Sequence, residues 1–106
     1  AVATMAYVIN VIHATGVTLS SDLPSPQLAG VPVTFTAAGQ GSSNYYYRFT
    51  LTRSGQAGVV VQNWSTTPTW TMPGTTLAGT YYISAEVRVL TSGPRDAVVT
   101  VPFIVQ

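Results

Sequence analysis

The chain has 106 residues, no cysteine and a net charge of +1, and only 7% of its residues are charged. This length fits one domain with its own hydrophobic core, and the lack of cysteine excludes disulfides, cysteine zinc sites and thiol chemistry. Four arginines without any lysine form no basic cluster of the kind that nucleic-acid-binding domains carry.

The fraction of charged residues is low, because soluble domains average about 25%, and the mean hydropathy is positive at +0.31. A surface with so little charge has two interpretations: a Thr- and Ser-rich extracellular β-domain, or a domain partly covered by another chain of an assembly. No apolar run approaches the about 20 residues of a transmembrane helix. The first residues lack the basic region of a signal peptide, so we expect the printed sequence to be mature if the protein is exported.

Residues 1–16, AVATMAYVINVIHATG, are predicted to form an apolar N-terminal arm or extra strand. The β-branched residues favour a strand covered on both faces, although an apolar stripe at helical spacing also fits. The arm has three interpretations: a first strand on its own domain, a strand donated to a neighbouring subunit, or leftover processing sequence. Because unpaired hydrophobic strands template aggregation, we expect the arm to be covered. Its candidate interface residues are Val2, Met5, Tyr7, Val8, Ile9, Val11 and Ile12.

Alternation of apolar and polar residues between short turn sequences predicts about seven strands from residue 17 onward and no helix. The clearest strands are 31–37, 45–53, 59–64, 69–72, 80–90 and 97–105. This pattern predicts an all-β, two-sheet Greek-key sandwich over residues 17–106, with a gap of about 10 Å between the sheets. The large side chains expected to fill that gap are Phe35, Tyr47, Phe49, Trp70 and Tyr81. Trp64 is expected at a sheet margin, and Pro102 predicts a free edge near the end of the last strand.

The predicted strands 45–53 and 80–90 carry polar and aromatic residues on their outward faces. If they are neighbours, these residues share one solvent-facing surface, and Arg48 pairs with Glu86 across the strands. The candidate interface residues on this surface are Tyr46, Arg48, Tyr82, Glu86 and Arg88. Tyrosine beside arginine is typical of protein interfaces and also suits stacking on sugar rings. The alternatives are a subunit interface, a carbohydrate platform or an ordinary solvated sheet face.

Reactive groups are few in this chain. His13 is the only histidine and lies in the apolar arm, where a structural role is commoner than a catalytic one. Asp22 and Asp96 fall in predicted turns, and Asp96 is expected to pair with the adjacent arginine. Glu86 lies on a strand face, so no two acids converge for acid–base catalysis. We expect no enzyme activity, no metal and no cofactor, and we treat the Asn-Trp-Ser glycosylation motif at 63–65 as a chance match.

Four segments, in order, resemble the bacterial Ig-like modules of secreted and surface proteins: SPQLAGVPVTFTA, YYYRFTL, QNWSTTPTWTM and AGTYYISAEVRV. The similarity covers about residues 17–105 and implies an Ig-like Greek-key sandwich in an exported protein. The step 79–81 is similar to a tyrosine corner, which implies that the Tyr81 hydroxyl binds back to the backbone. The cysteine pair and strand-C tryptophan of antibody domains are absent, as is the Trp-Asp-Phe-Gly-Asp signature of polycystic-kidney-type repeats. A family-specific recognition function is therefore not implied.

Together these features predict a non-catalytic structural subunit or protein–protein interaction module of a bacterial extracellular or cell-surface assembly. The most concrete version is a pilus or filament component that packs against other subunits or a short pilin-like chain. The alternative is a free-standing adhesion or carbohydrate-binding Ig-like module. The expected partners are other protein subunits, with carbohydrate as the alternative partner; neither nucleic acid nor a direct membrane span is expected.

Overall fold

A computed structural model describes residues 12–106, and all regular structure in that range is β-strand. The seven strands are β1 Gly16–Ser21, β2 Val33–Gln40, β3 Tyr46–Arg53, β4 Val59–Ser65, β5 Thr69–Met72, β6 Gly79–Arg88 and β7 Ala97–Val105. The predicted all-β class is confirmed over these residues, and β5 and β7 have their predicted bounds. β2 begins later than predicted, after Pro32, which has no N–H to donate to a neighbouring strand.

The strands form two antiparallel sheets, a three-stranded one in the order β1-β2-β5 and a four-stranded one in the order β4-β3-β6-β7. β2 pairs with β5 and β3 pairs with β6, although neither pair is consecutive in the chain. The polypeptide therefore passes from one sheet to the other after β2, after β4 and after β5. The expected pairing of the strands that carry Arg48 and Glu86 is confirmed, since these two residues lie directly opposite each other.

The inner faces of the two sheets share one hydrophobic core. Phe35 of β2 meets Phe103 of β7 edge to face, with ring centroids 5.4 Å apart, and this contact joins the sheets. The largest fully buried side chains are Val33, Phe35, Phe49, Met72, Ile83 and Val87. Burying one such side chain contributes about 1.5–3 kcal/mol. Of the five predicted core fillers only Trp70 is half-buried, because β5 lies at the edge of its sheet.

β7 is the edge strand of the four-stranded sheet, and the segment between β1 and β2 covers its last residues. Gln27 N donates to Ile104 O at 3.0 Å, which helps to make a parallel bridge between Gln27 and Val105. Ile104 N in turn donates to Ser25 Oγ at 2.9 Å. The predicted free edge near the end of β7 is therefore wrong at Ile104, where these hydrogen bonds occupy the edge. Pro102 precedes the bridge on an edge strand, where its missing N–H is tolerated.

The two ends of the domain differ in the segments that they bring together. The end formed by residues 12–15 and loops 41–45, 66–68 and 89–96 is called the arm end, and the opposite end, with loops 22–32, 54–58 and 73–78, is called the far end. At the arm end, Thr15 N donates to Gln40 O at 2.8 Å. At the far end, Gly74 lies so close to the Gly30 carbonyl oxygen that a side chain would collide with it. The start of the described chain and the far-end loops thus lie at opposite ends of the strands.

The connection from β5 to β6 is fixed by one side-chain hydrogen bond. The Tyr81 hydroxyl donates to Leu77 O at 2.6 Å, while the ring of Tyr81 is buried in the core. This is the contact that the similarity to a tyrosine corner implies. It holds loop 73–78 against the start of β6 at the far end.

Replacing Tyr81 with phenylalanine keeps the buried ring and removes only this hydrogen bond. We expect the free energy of unfolding to fall by about 0.5–1.5 kcal/mol, measured by urea denaturation. Tyr82→Phe is the matched control, because the Tyr82 side chain is exposed on the outer face, and it should change the free energy by less than about 0.5 kcal/mol. Equal losses in the two variants would contradict a structural role for the Tyr81 hydroxyl.

Candidate functional site

The outer face of the four-stranded sheet brings together the five candidate interface residues predicted on the strands. Tyr46 lies opposite Arg88 and Arg48 lies opposite Glu86 in the pairing of β3 with β6, and Tyr82 lies further along β6 toward the far end. Because side chains alternate along a strand, these five residues share the face that points away from the core. Their predicted placement on one surface is confirmed, although their environments differ.

Arg48 and Glu86 form the ion pair expected from the sequence. Arg48 Nε donates to Glu86 Oε1 at 3.2 Å and Arg48 Nη2 donates to Glu86 Oε2 at 2.7 Å, so the contact is bidentate. Arg95 Nη1 approaches the same Oε2 atom at 3.7 Å. One carboxylate therefore faces two guanidinium groups, and a bidentate arginine–carboxylate contact is the stronger and more specific kind.

Glu86 and Arg88 are buried, with 6% and 9% of their surface exposed, so the expectation that they face solvent is wrong. Trp64 of β4 contacts two of the arginines, and its ring centroid lies 4.0 Å from the guanidinium carbon of Arg88 and 4.9 Å from that of Arg48. Arg88 also donates to the carbonyl oxygens of residues 91 and 93. Its Nε has no hydrogen-bond acceptor among the described residues, and the cation–π contact offsets part of the cost of burying it. The Trp64–arginine cluster is defined as Arg48, Trp64, Glu86, Arg88 and Arg95.

The contact of Trp64 with two arginines is the feature of this face that the sequence pattern did not predict. The pairing of β3 with β4 shifts register between Tyr47 and Phe49 and again between Phe49 and Thr50. Each shift breaks simple alternation along β4, because a bulge places two residues of one strand against one residue of the other. Trp64 lies at the sheet margin, as expected, because β4 is an edge strand, and its ring lies over Arg48 and Arg88. A run of valines ending in polar residues contains no signal for such a bulge.

The base of the N-terminal arm is held by the carboxylate of Asp96. Asp96 Oδ1 lies 2.9 Å from His13 Nδ1, and Asp96 Oδ2 accepts hydrogen bonds from Ala14 N at 3.1 Å and Val89 N at 3.3 Å. The expected local pair of Asp96 with Arg95 is wrong, since Arg95 turns toward the Trp64–arginine cluster. Residues 13 and 96 are too far apart in sequence for any local pattern to predict their contact.

Burial raises the pKa of Asp96, but the hydrogen bonds from Ala14 N, from His13 and from Val89 N, together with the charge of His13, outweigh it and hold that pKa below its ordinary value. The carboxylate form is therefore favoured in the folded protein, where it accepts these hydrogen bonds. Asp96 acts as a fixed anchor for residues 13 and 14, and the buried methyl group of Ala14 adds an apolar contact.

Ile12 is the one candidate interface residue of the arm that the structure describes. Its side chain is 67% exposed, and its carbonyl oxygen accepts a hydrogen bond from Ser42 Oγ. The other arm candidates lie outside the described residues: Val2, Met5, Tyr7, Val8, Ile9 and Val11. The structure thus describes where the arm joins the domain, and the interface role of the arm stays a prediction.

Exposed apolar side chains are concentrated toward the far end. Nine large hydrophobic residues are exposed among residues 12–106, and three of them, Ile12, Leu90 and Val98, lie toward the arm end. The other six, called the far-end apolar surface, are Leu28, Val59, Val60, Leu77, Tyr82 and Ile104. Leu28 and Leu77 project from the far-end loops, with 65% and 67% of their surface exposed. Exposed apolar groups that gather at one end of a domain are candidates for an interaction surface.

Among residues 12–106 there is no enclosed pocket and no group of three or more histidine or acidic side chains placed to bind a metal. The same residues contain no helix with the length and apolar character needed to cross a membrane. No protein-family model, no curated protein and no solved structure matches this chain.

Glu86→Gln tests the Trp64–arginine cluster. The substitution keeps the size of the side chain and removes the only carboxylate of the cluster, so Arg48 and Arg95 lose their counter-ion. We expect the free energy of unfolding in urea to fall by about 1.5–3 kcal/mol. Arg95→Gln removes only an exposed contact and should cost at most about 1 kcal/mol. A larger loss in Arg95→Gln than in Glu86→Gln would contradict the central place of Glu86.

The low pKa of Asp96 predicts a component of acid denaturation. A carboxyl whose pKa is lowered by folding stabilises the protein fully when the pH is above the pKa of that carboxyl in the unfolded chain. This stabilisation is lost as the pH falls through the pKa of the carboxyl in the folded protein. Asp96 should therefore contribute fully at neutral pH and progressively less below about pH 4. In unfolding experiments from pH 7 to pH 2, Asp96→Asn should be less stable at pH 7, and the difference from the unsubstituted protein should shrink toward pH 2. A difference independent of pH would contradict this assignment.

Proposed function

We propose that this chain is an Ig-like module that serves as a non-catalytic structural subunit of a bacterial extracellular or cell-surface assembly. A pilus or filament component, packed against other subunits or a short pilin-like chain, is the most concrete form of the proposal. The observation that carries it is the far-end apolar surface, which residues 12–106 leave exposed, while Glu86 and Asp96 have partners within the same residues. A protein–protein interface is the ordinary use of such a surface.

Strand order supports the Ig-like part of the proposal. The order β1-β2-β5 is the same as the order A-B-E in one sheet of an immunoglobulin domain, and the order β3-β6-β7 is the same as C-F-G in the other. β4 lies beside β3, in the position of the extra strand C′ of variable-type domains. The hydrogen bond from Tyr81 to Leu77 O adds the corner contact found in such domains. The bridge of Gln27 to Val105 lets the first part of the chain contact both sheets.

The occupied state of the reactive side chains supports a non-catalytic role. Glu86 is bound by Arg48, and Asp96 is bound by His13 and two backbone N–H groups. Asp22 Oδ1 accepts a hydrogen bond from Thr34 N at 2.9 Å at the start of β2. Every acid and the single histidine thus has a structural partner within the domain, whereas a general acid or base must be free to exchange a proton with a substrate.

An extracellular location rests on the composition and on the resemblance to secreted modules. Both outer sheet faces carry cross-strand hydroxyl pairs, Thr34 with Thr71 at 2.9 Å and Ser84 with Thr100 at 2.8 Å. Such cross-strand hydroxyl contacts stabilise a sheet face modestly without using charge. They fit the interpretation of a Thr- and Ser-rich surface domain.

The alternative, a free-standing adhesion or carbohydrate-binding module, is favoured by one observation, the exposed ring of Tyr82. Sugar rings stack on accessible aromatic faces. Trp64, the largest aromatic of the outer face, is half-buried and already in contact with two guanidinium groups. The carbohydrate function therefore depends mainly on Tyr82 and is the weaker of the two proposals.

Removing residues 1–11 tests the assembly proposal while keeping His13 and Ala14, which the folded domain uses. By light scattering and electron microscopy, we expect the full chain to form oligomers or filaments and chain 12–106 to remain monomeric. Equal thermal stability of chain 12–106 and the full chain is the control for correct folding. A monomeric full chain that binds glycans on an array, with loss of binding in Tyr82→Ala, would instead support the adhesion module.

A further inference from the structure

The arm leaves the domain at a fixed place. Ser42 Oγ binds Ile12 O, the Asp96 carboxylate binds His13 and Ala14 N, and Thr15 N binds Gln40 O. All of these contacts are at the arm end. Residues 1–11 therefore start from a defined point at that end, next to the exposed side chain of Ile12.

The apolar surface that such an arm would match lies at the other end of the molecule. The far-end apolar surface comprises six exposed hydrophobic side chains, and Arg53 lies beside it with its Nη2 bound to Ala78 O at 2.8 Å. Residues 1–11 contain no charged side chain and are mostly apolar, with three Val, three Ala, one Ile, one Met and one Tyr. Contact between the two would remove apolar area from water on both sides, and the arm brings no charged side chain to the contact.

Distance favours contact between molecules over contact within one. β7 has nine residues and extends along the domain for about 30 Å at the usual rise of a strand. Eleven residues reach at most about 40 Å even when fully extended. An arm folding back on its own domain would use most of its length to reach the far end. The arm of a copy stacked on that end starts beside the surface and has its whole length for contact.

We propose that residues 1–11 of one copy pack on the far-end apolar surface of the next copy, so that molecules join arm end to far end. This inference rests on the proposed function as an assembly subunit and names the partner as a second copy of this chain. The contact uses different surfaces on its two sides. A contact of this kind does not close on a pair, and it extends into a ring or a filament.

Two variants separate the donating and accepting surfaces. Chain 12–106 lacks the donated segment and keeps the accepting surface, whereas full-length Leu28→Glu/Leu77→Glu keeps the segment and places two charges on the accepting surface. Both side chains project from loops and are highly exposed, so the domain should remain folded. Each variant alone should be monomeric in analytical ultracentrifugation, and their equimolar mixture should give one-to-one dimers.

Full-length Thr100→Glu is the matched control, because it places the same charge on an exposed position in the middle of β7, away from both ends. It should assemble like the unsubstituted chain, whereas Leu77→Glu alone should raise the concentration for half-assembly by about tenfold or more. Full-length Leu28→Glu/Leu77→Glu that still forms long assemblies would overturn the proposed contact and leave the assembly function standing. A full chain that stays monomeric at every concentration would overturn both.

Cross-linking tests the same contact in intact chains, which is straightforward because the protein has no cysteine of its own. Full-length Val8→Cys, mixed with isotope-labelled full-length Leu77→Cys and oxidised, should give mixed dimers identified by mass. Leu90→Cys in place of Leu77→Cys should reduce the yield of mixed dimers several-fold. Equal yields with the two positions would overturn the proposed arrangement even if both mixtures assemble.

Discussion

The fold depends on the contact between the inner faces of the two sheets, with the edge-to-face pair of Phe35 and Phe103 joining them. The chain has no cysteine and therefore no disulfide. The Trp64–arginine cluster lies on the outer face of the four-stranded sheet, outside this core. Burial of apolar side chains is therefore the main stabilising term, as it is in most domains of this size. The tyrosine corner and the bridge from Gln27 to Val105 act at the margins of that core, where they fix loops and an edge strand against it.

This dependence explains why much of the fold could be predicted from the sequence. A residue pair such as Phe35 and Ala37, separated by a polar threonine, reports directly which side of a strand is buried. The same rule placed Ile83 and Val87 in the core and Arg48 opposite Glu86. The rule failed at β4, because the bulges opposite Phe49 change which side a residue faces, and a bulge leaves no mark in the hydrophobic pattern.

Long-range polar contacts were the second limit of the sequence pattern. Asp96 binds the backbone at Ala14 because β7 begins beside the segment that leads into β1, and only the finished fold brings these residues together. Arg95 is adjacent to Asp96 in sequence but reaches Glu86 on the outer face instead. Pairing of sequence neighbours failed here, because His13 and the backbone N–H groups of Ala14 and Val89 occupy the Asp96 carboxylate.

The bridge between Gln27 and Val105 has a mechanical consequence. The segment from residue 12 to residue 27 and strand β7 both run from the arm end to the far end, and they are tied together near residue 105 as parallel strands. A tensile load applied to Ile12 and to Gln106 along the long direction of the strands would pull these two segments past each other. The load would shear the hydrogen bonds between the two segments, and these bonds would have to break at the same time. A load perpendicular to the strands would instead break them one after another from one end. A domain with this connection resists stretching along its strands more strongly than peeling from the side.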